Sequence, residues 1–289
     1  MTRGGKTFSQ RPVVDQDGRT LVARKTTTSY NPRHAHYHPP HHHHHVVRHY
    51  HYHYWGPSYY YCYVSHWAWA PWFWGFYFAP FYAPWHYHWW WVGAPWHVHW
   101  GWYYDPYPYY DAPSYWVTDY TLSRMLEDEY ARGYEDGYYA AEGEAAVAEQ
   151  QQEGTPITEP VKEQIRVQVD EMANAFEEDD FVQLEKALED PEYLFIVDTA
   201  LSVTNEDGEA CTLTGGDIIK QAEGNDLDPD RPVAEMEIVT SKSPQCPAGS
   251  TAAVSYADLQ EMLNTFGQTV DDGLYELQKQ REKEREASE

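Results

Sequence analysis

Residues 67–84 read WAWAPWFWGFYFAPFYAP, a run without a single charge. Its eighteen residues approach the ~20 that a membrane-spanning helix needs. Pro71, Pro80 and Pro84 argue against a span, because each removes a backbone donor and breaks the helix, and Trp and Tyr prefer the headgroup level to the hydrocarbon centre. The run reads as a membrane-interface or self-associating tract and not as a transmembrane helix. The rest of the chain turns on this reading, since the same composition extends well beyond the run on both sides.

All sixteen histidines lie between His34 and His99 and all thirteen tryptophans between Trp55 and Trp116, among tyrosines and prolines, with no leucine between Leu21 and Leu122. Rings without Leu, Ile and Val do not fill a close-packed core with well-defined rotamers. Residues 34–116 are therefore expected to form a low-complexity surface tract outside any domain. Residues 1–33 are polar and weakly basic, bury too little to offset the entropy of ordering, and are expected to be disordered.

The net charge of -26 is uneven. Residues 1–116 carry eight Lys/Arg against four Asp/Glu, so the remainder of the chain is strongly acidic. An acidic half repels phosphates, and there is no Lys or Arg between Arg48 and Arg124 to line a stacking groove, which excludes nucleic acid as a partner. The opening MTRGGKTFSQRPVV has no apolar stretch of signal-peptide type. The expectation is a start upstream of the one given, and an exported protein.

Residues 117–153 regain helix-forming composition, with Leu122, Met125, Leu126, Tyr130, Tyr134 and Tyr138 at three- and four-residue spacing. Gly133, Gly137 and Gly143 each weaken a helix by about 1 kcal/mol relative to Ala, so the segment is expected to fray after Tyr130 into an acidic connector. Residues 154–289 read as the folded domain. Helices are expected over 158–190, on a stripe of Val161, Ile165, Val169, Met172 and Phe176 and a second of Phe181, Leu184 and Leu188, then short strands over 193–255. A C-terminal helix over 256–282 is announced by Ser255 and Asp258 at capping-box spacing and by Leu259, Met262, Leu263, Phe266, Val270, Leu274 and Leu277 on one face, with REKEREASE as a solvated end.

Neither the number nor the spacing of the three cysteines suits a zinc site. A disulfide between Cys211 and Cys246 is the preferred reading, with two free buried thiols as the alternative. A disulfide would place the chain in an oxidising compartment.

The run ALSVTNEDGEACTLTGGDII, the strand VAEMEIVTSK and CPAGSTAAVSYADLQ resemble in rhythm the bacterial SH3-type small barrels over roughly residues 190–260. The same portion is similar to the C-terminal part of uncharacterised exported bacterial proteins with Tyr/His/Trp-rich fronts. The resemblance implies an α+β fold, a small SH3-like β-barrel packed with helices, and brings no activity with it. From Pro191 to Gln260 the only rings are Tyr193, Phe195 and Tyr256, too few to line a polyproline-binding groove.

His34, His36 and His38, then His49, His51 and His53, then His86 with His88 and His97 with His99 repeat His-x-His, and His41, His42, His43, His44 and His45 are consecutive. In an extended chain residues two apart point the same way, and paired imidazoles suit Cu, Ni or Zn. Compositional drift in a surface segment accounts for the same pattern without a metal. The rings offer stacking on wall sugars or on one another, and Asp226, Asp228 and Asp230 with Glu237 have a calcium-loop register spoiled by Arg231 where glycine is needed.

No nucleophile elbow, phosphate loop or HExxH is present, and the acidic half contains no histidine to serve as a base. The chain is expected to be a non-enzymatic cell-envelope protein with a structural or interaction role, requiring no cofactor and contacting an envelope protein or the wall. Transition-metal sequestration is the alternative, and a carboxylate-based wall hydrolase the more distant one.

Overall fold

The computed structural model describes residues 2–3, 6–14, 20–28, 47–65, 67–135, 154–205, 208, 210–224, 227–228 and 230–288. In chain order the elements are β1 (Thr2–Arg3), β2 (Lys6–Val14), β3 (Thr20–Thr28), β4 (Val47–Trp55), β5 (Ser58–Val64), α1 (Phe73–Tyr77), α2 (Pro95–Trp100), α3 (Pro113–Glu135), α4 (Glu159–Glu177) and α5 (Leu184–Glu189). There follow β6 (Leu194–Ile196), β7 (Leu201–Thr204), β8 (Ala210–Leu213), β9 (Ile218–Gln221), β10 (Val233–Thr240), β11 (Thr251–Ser255) and α6 (Tyr256–Ser288).

The strands form an antiparallel sheet β1-β2-β3-β4-β5, a second in the order β11-β10-β9-β6, and a separate β7-β8 ribbon. The mixed α+β class expected from the sequence is present, but neither sheet closes on itself, so there is no barrel. Closure requires every strand to pair on both sides, whereas the second sheet ends at β11 and β6. Strand β10 shows why the short runs are strands: Ala234, Met236, Ile238 and Thr240 alternate inward with period two. The disulfide is present, with Cys211 on β8 and Cys246 beyond β10 separated by 5.6 Å between Cα atoms, and it pins the ribbon to the main sheet.

The largest departure from expectation concerns the aromatic tract. Its described residues are not a surface layer but a large part of the core: Phe73, Tyr77, Trp89, Trp91, Trp96, Trp100, Tyr103, Tyr104, Tyr110 and Trp116 are buried in one cluster with the aliphatic stripes of α3, α4 and α6. Ring-on-ring packing substitutes for aliphatic interdigitation, as in Trp89 against Trp116 at 5.1 Å and Trp91 against Trp96 at 4.9 Å between centroids. Of the opening expected to lack order, the structure describes β1, β2 and β3, and Leu21 to Arg24 are buried. Helix α3 begins at Pro113 and continues beyond Tyr130 to Glu135, within the segment expected to fray.

Ser255 caps α6 as its spacing implies, its Oγ accepting from the Asp258 backbone N–H at 3.1 Å. The helix does not end near 282, and its charged tail is not merely solvated. Arg281 lies 4.5 Å from the Trp85 ring and 5.0 Å from that of Phe76, while Arg285 lies 4.8 Å from Trp72. Beside its apolar face α6 carries a second row, Gln260, Asn264, Asp271 and Gln278, buried against residues 61–70 of the tract. A third row holds the first sheet by charge: Glu261 takes the Arg24 guanidinium at 2.8 Å, and Asp272 that of Arg48 at 2.5 Å.

Both sheets end in a strand whose open edge is closed by a helical side-chain amide. The Asn264 amide donates to the Tyr61 carbonyl at 2.7 Å, and its oxygen accepts from the Tyr63 N–H at 2.9 Å. Gln168 of α4 does the same for both backbone groups of Leu194 on β6, at 3.0 and 3.2 Å. An amide of this kind stands in for the next strand and denies the edge to another chain. Asn264→Ala should therefore leave a buried donor and acceptor bare and lower stability by about 1–3 kcal/mol. Urea titration of the variant is the measurement, and an unchanged midpoint would contradict the edge role.

Candidate interaction surface

The sequence HYHYHYWGPSYYYCYV folds into the β4-β5 hairpin. Its turn is Gly56-Pro57, and Gly56 takes a φ of 58°, the left-handed geometry a two-residue hairpin needs at its first central position. Cross-strand register then sorts the side chains into two faces. His49, His51 and His53 share one with Val64, Cys62 and Tyr60, and Tyr50, Tyr52 and Tyr54 share the other with Tyr63, Tyr61 and Tyr59.

The tyrosine face passes from core to solvent along its length. Tyr50 and Tyr63 are buried, with the Tyr63 hydroxyl donating to Asp271 at 2.6 Å and the Tyr50 hydroxyl accepting from Gln268 at 3.0 Å. Further out, Tyr52 (41% exposed), Tyr54 (60%) and Tyr59 (70%) stand open with Tyr61 half-buried beside them. The rings pair across the strands, Tyr52 with Tyr61 and Tyr54 with Tyr59, each at 5.0 Å between centroids. The Arg24 guanidinium underlies the row, 4.4 Å from the Tyr50 ring and 4.7 Å from that of Tyr61. The result is an exposed aromatic ladder on a rigid two-stranded support.

The histidine face is packed, not open. His51 stacks on Phe181 at 5.1 Å, and His53 Nε2 is bonded to the Glu185 carboxylate on α5. His97 and His99 fall on the short helix α2, where a two-residue step turns side chains to opposite sides, so this His-x-His is not a chelating pair. They pack instead against Trp91 and Trp96, and against Trp100 and Tyr130. His86 and His88 do match the expected geometry: both are exposed on one side of an extended segment whose Trp85, Tyr87 and Trp89 turn inward. His34, His36, His38, His41, His42, His43, His44 and His45 lie outside the described residues, as do His66 and Asp226. Among the described residues no three His, Cys, Asp or Glu side chains converge to hold a metal. Glu237, read as the last position of a calcium loop, faces Lys220 at 3.9 Å on the second sheet.

Beneath the ladder and the tract lie three buried ionisable centres that the sequence reading missed. Asp217, fully buried, pairs with Lys242 at 2.7 Å. The ammonium also donates to the Gly215 carbonyl and faces the rings of Tyr103 (4.6 Å) and Trp100 (5.2 Å). The turn that carries Asp217 presses on α3 at Gly216, whose φ is 94° and whose Cβ, if present, would stand 2.6 Å from Leu126. Asp119 of α3 accepts from the Tyr104 hydroxyl at 2.8 Å, the Tyr107 N–H at 2.8 Å and the Tyr110 hydroxyl at 2.9 Å. Asp271 accepts from Tyr63 and Ser65. Burial pushes the carboxyls of both Asp119 and Asp271 up to about 7, against the downward pull of these donors.

Those two carboxyls set the pH response. Held near 7 in the fold and near 3.9 in the unfolded chain, each binds a proton more tightly when folded, so stability is lost as the pH rises through this window. Burial lowers His49, His97 and His99, which oppose the trend once the pH falls below the ordinary histidine value. Unfolding free energies from denaturant titration should rise by roughly 1 kcal/mol for each carboxyl between pH 8 and pH 6, and Asp119→Asn should remove its share. A wild-type profile that Asp119→Asn leaves unaltered would contradict the assignment.

A cleft of about 500 Å³ is lined by Trp72, Phe76, Arg281, Glu284 and Arg285 and contains one carboxylate. No described helix is long and apolar enough to cross a membrane. Comparison of the chain with protein-family models, curated proteins and solved structures found no match.

Proposed function

We propose that the protein is a non-enzymatic contact protein of the extracytoplasmic envelope that binds wall glycan through the β4-β5 tyrosine ladder. The observation that carries this reading is the exposure of Tyr52, Tyr54 and Tyr59 in one row, where most of the described rings are buried or half-buried. These side chains do not serve the core, and a rigid row of phenol rings offers flat apolar faces to sugar C–H groups with hydroxyls at the rim to bond sugar oxygens. The disulfide suits an oxidising compartment. A nucleophilic role finds no support at Cys62, whose thiol is buried and pushed up to about 12 by that burial. Transition-metal binding retains His86 and His88 as its supporting pair.

The test is sedimentation of the full chain with insoluble cell-wall glycan. With ring stacking at about 0.5–1.5 kcal/mol apiece, the triple variant Tyr52→Ser, Tyr54→Ser, Tyr59→Ser should bind at least about tenfold more weakly at unchanged stability. Equal sedimentation of both chains, or none of either, would overturn the reading.

A further inference from the structure

We infer that the tyrosine ladder is a site of oxidative modification, in which Tyr52 couples to Tyr61 and Tyr54 to Tyr59 to give dityrosine bridges across the hairpin. The inference goes beyond glycan binding and does not depend on it.

Dityrosine forms when two phenoxyl radicals meet through the ring carbons next to oxygen. That demands two phenols held side by side, accessible to an oxidant and unable to drift apart. In the ladder the pairs are fixed by directly opposed backbone positions, Tyr52 with Tyr61 and Tyr54 with Tyr59. Both have centroids 5.0 Å apart with rings inclined at 48° and 57°, close enough for the two rings of each pair to meet without a change of backbone register. Tyr54 and Tyr59 are the more open pair. Other exposed tyrosines differ: Tyr82 and Tyr109 are accessible, but among the described residues neither is paired with another tyrosine ring, and Tyr109 contacts His86.

The chemistry balances with hydrogen peroxide as the oxidant and a haem peroxidase as its activator. Each tyrosine gives up one electron and its phenolic proton. The two radicals join in one carbon–carbon bond, and the two ring hydrogens displaced from the joined carbons return to the oxygens, restoring both phenols. The pair loses two hydrogens in all, and one peroxide is reduced to two waters.

The experiment treats the full chain at low concentration with horseradish peroxidase and hydrogen peroxide. It reads dityrosine fluorescence, then maps the bridge by mass spectrometry after chymotrypsin, which cuts after Trp55 and leaves Tyr54 and Tyr59 on separate peptides. The expected result is monomeric protein with bridged peptides at both pairs. Tyr52→Phe and Tyr54→Phe should each lose their own bridge, and the double variant should lose the fluorescence. These exposed positions tolerate phenylalanine without a change in fold. Fluorescence that survives in the double variant, bridges that join Tyr82 or Tyr109 of different molecules in place of the ladder, or no dityrosine at all would overturn the inference. Because glycan is absent from this assay and oxidant from the sedimentation assay, failure of either leaves the other standing.

Discussion

A chain shortened to Gly154–Glu289 should show no cooperative unfolding transition, although its aliphatic stripes and strands read in the sequence as a self-sufficient domain. The reason is the share of the core that residues 1–116 provide. Without them the row Gln260, Asn264, Asp271 and Gln278 faces water instead of the backbone and hydroxyls of residues 61–70. Lys242 loses the rings of Tyr103 and Trp100, and the apolar faces of α4 and α6 lose the packed tryptophans and tyrosines that cover them. A domain retains only about 5–15 kcal/mol of net stability, so a loss on this scale leaves no folded state. Calorimetry of the shortened and full chains is the measurement. A sharp transition in the shortened chain close to that of the full one would show that the aromatic half is an accessory and not part of the core.

Asp217→Asn should be the most damaging single replacement, at about 3–5 kcal/mol, because it strands the Lys242 ammonium in the interior. Asp217 also receives the backbone N–H of Thr214 at 2.8 Å and of Lys242 at 3.0 Å, so it orders the turn as well as the charge. Replacing both partners, as Asp217→Asn with Lys242→Met, removes the stranded charge and should cost less than the sum of the two single changes. Urea midpoints for the four proteins of this cycle give the coupling directly. A loss below about 1 kcal/mol for Asp217→Asn would mean that the pair is held by its surroundings and not the reverse.

The elements of the acidic half were legible where one periodicity ran uninterrupted. Leu259 to Leu277 on α6, the Ser255 cap and the alternation within β10 all gave correct elements, and the Cys211–Cys246 bridge followed from residues placed beside strands. Barrel closure was not legible, since strand rhythm is a local property and the pairing of β6 with β9 is not. The aromatic half was misjudged because aliphatic content served as the measure of a core. Its signal was nevertheless present: His49 to Tyr54 alternate strictly, Gly56-Pro57 follows, and aromatic residues return, which is the pattern of a hairpin. The polar partners were harder to see. Gln168, Asn264 and Asp271 sit on helices where a polar residue ordinarily faces water, and only the fold reveals that each meets a strand end or a phenol.

The grip of α6 on the first sheet has a further consequence for the order of events during synthesis. Arg24 meets Glu261 across 237 positions of sequence, Arg48 meets Asp272 across 224, and Ala70 meets Gln278 across 208. While the chain is still on the ribosome, the tryptophan-rich stretch has emerged but the helix that completes it has not. The nascent protein must carry some of its most adhesive residues unshielded until translation reaches residue 285, when Arg285 settles over Trp72. Contacts so distant in sequence make slow folding the rule and exposed intermediates prone to aggregate. For this chain the first sheet is locked only once its last helix has been made, so the tract and its cover come together after most of the polypeptide has been synthesised.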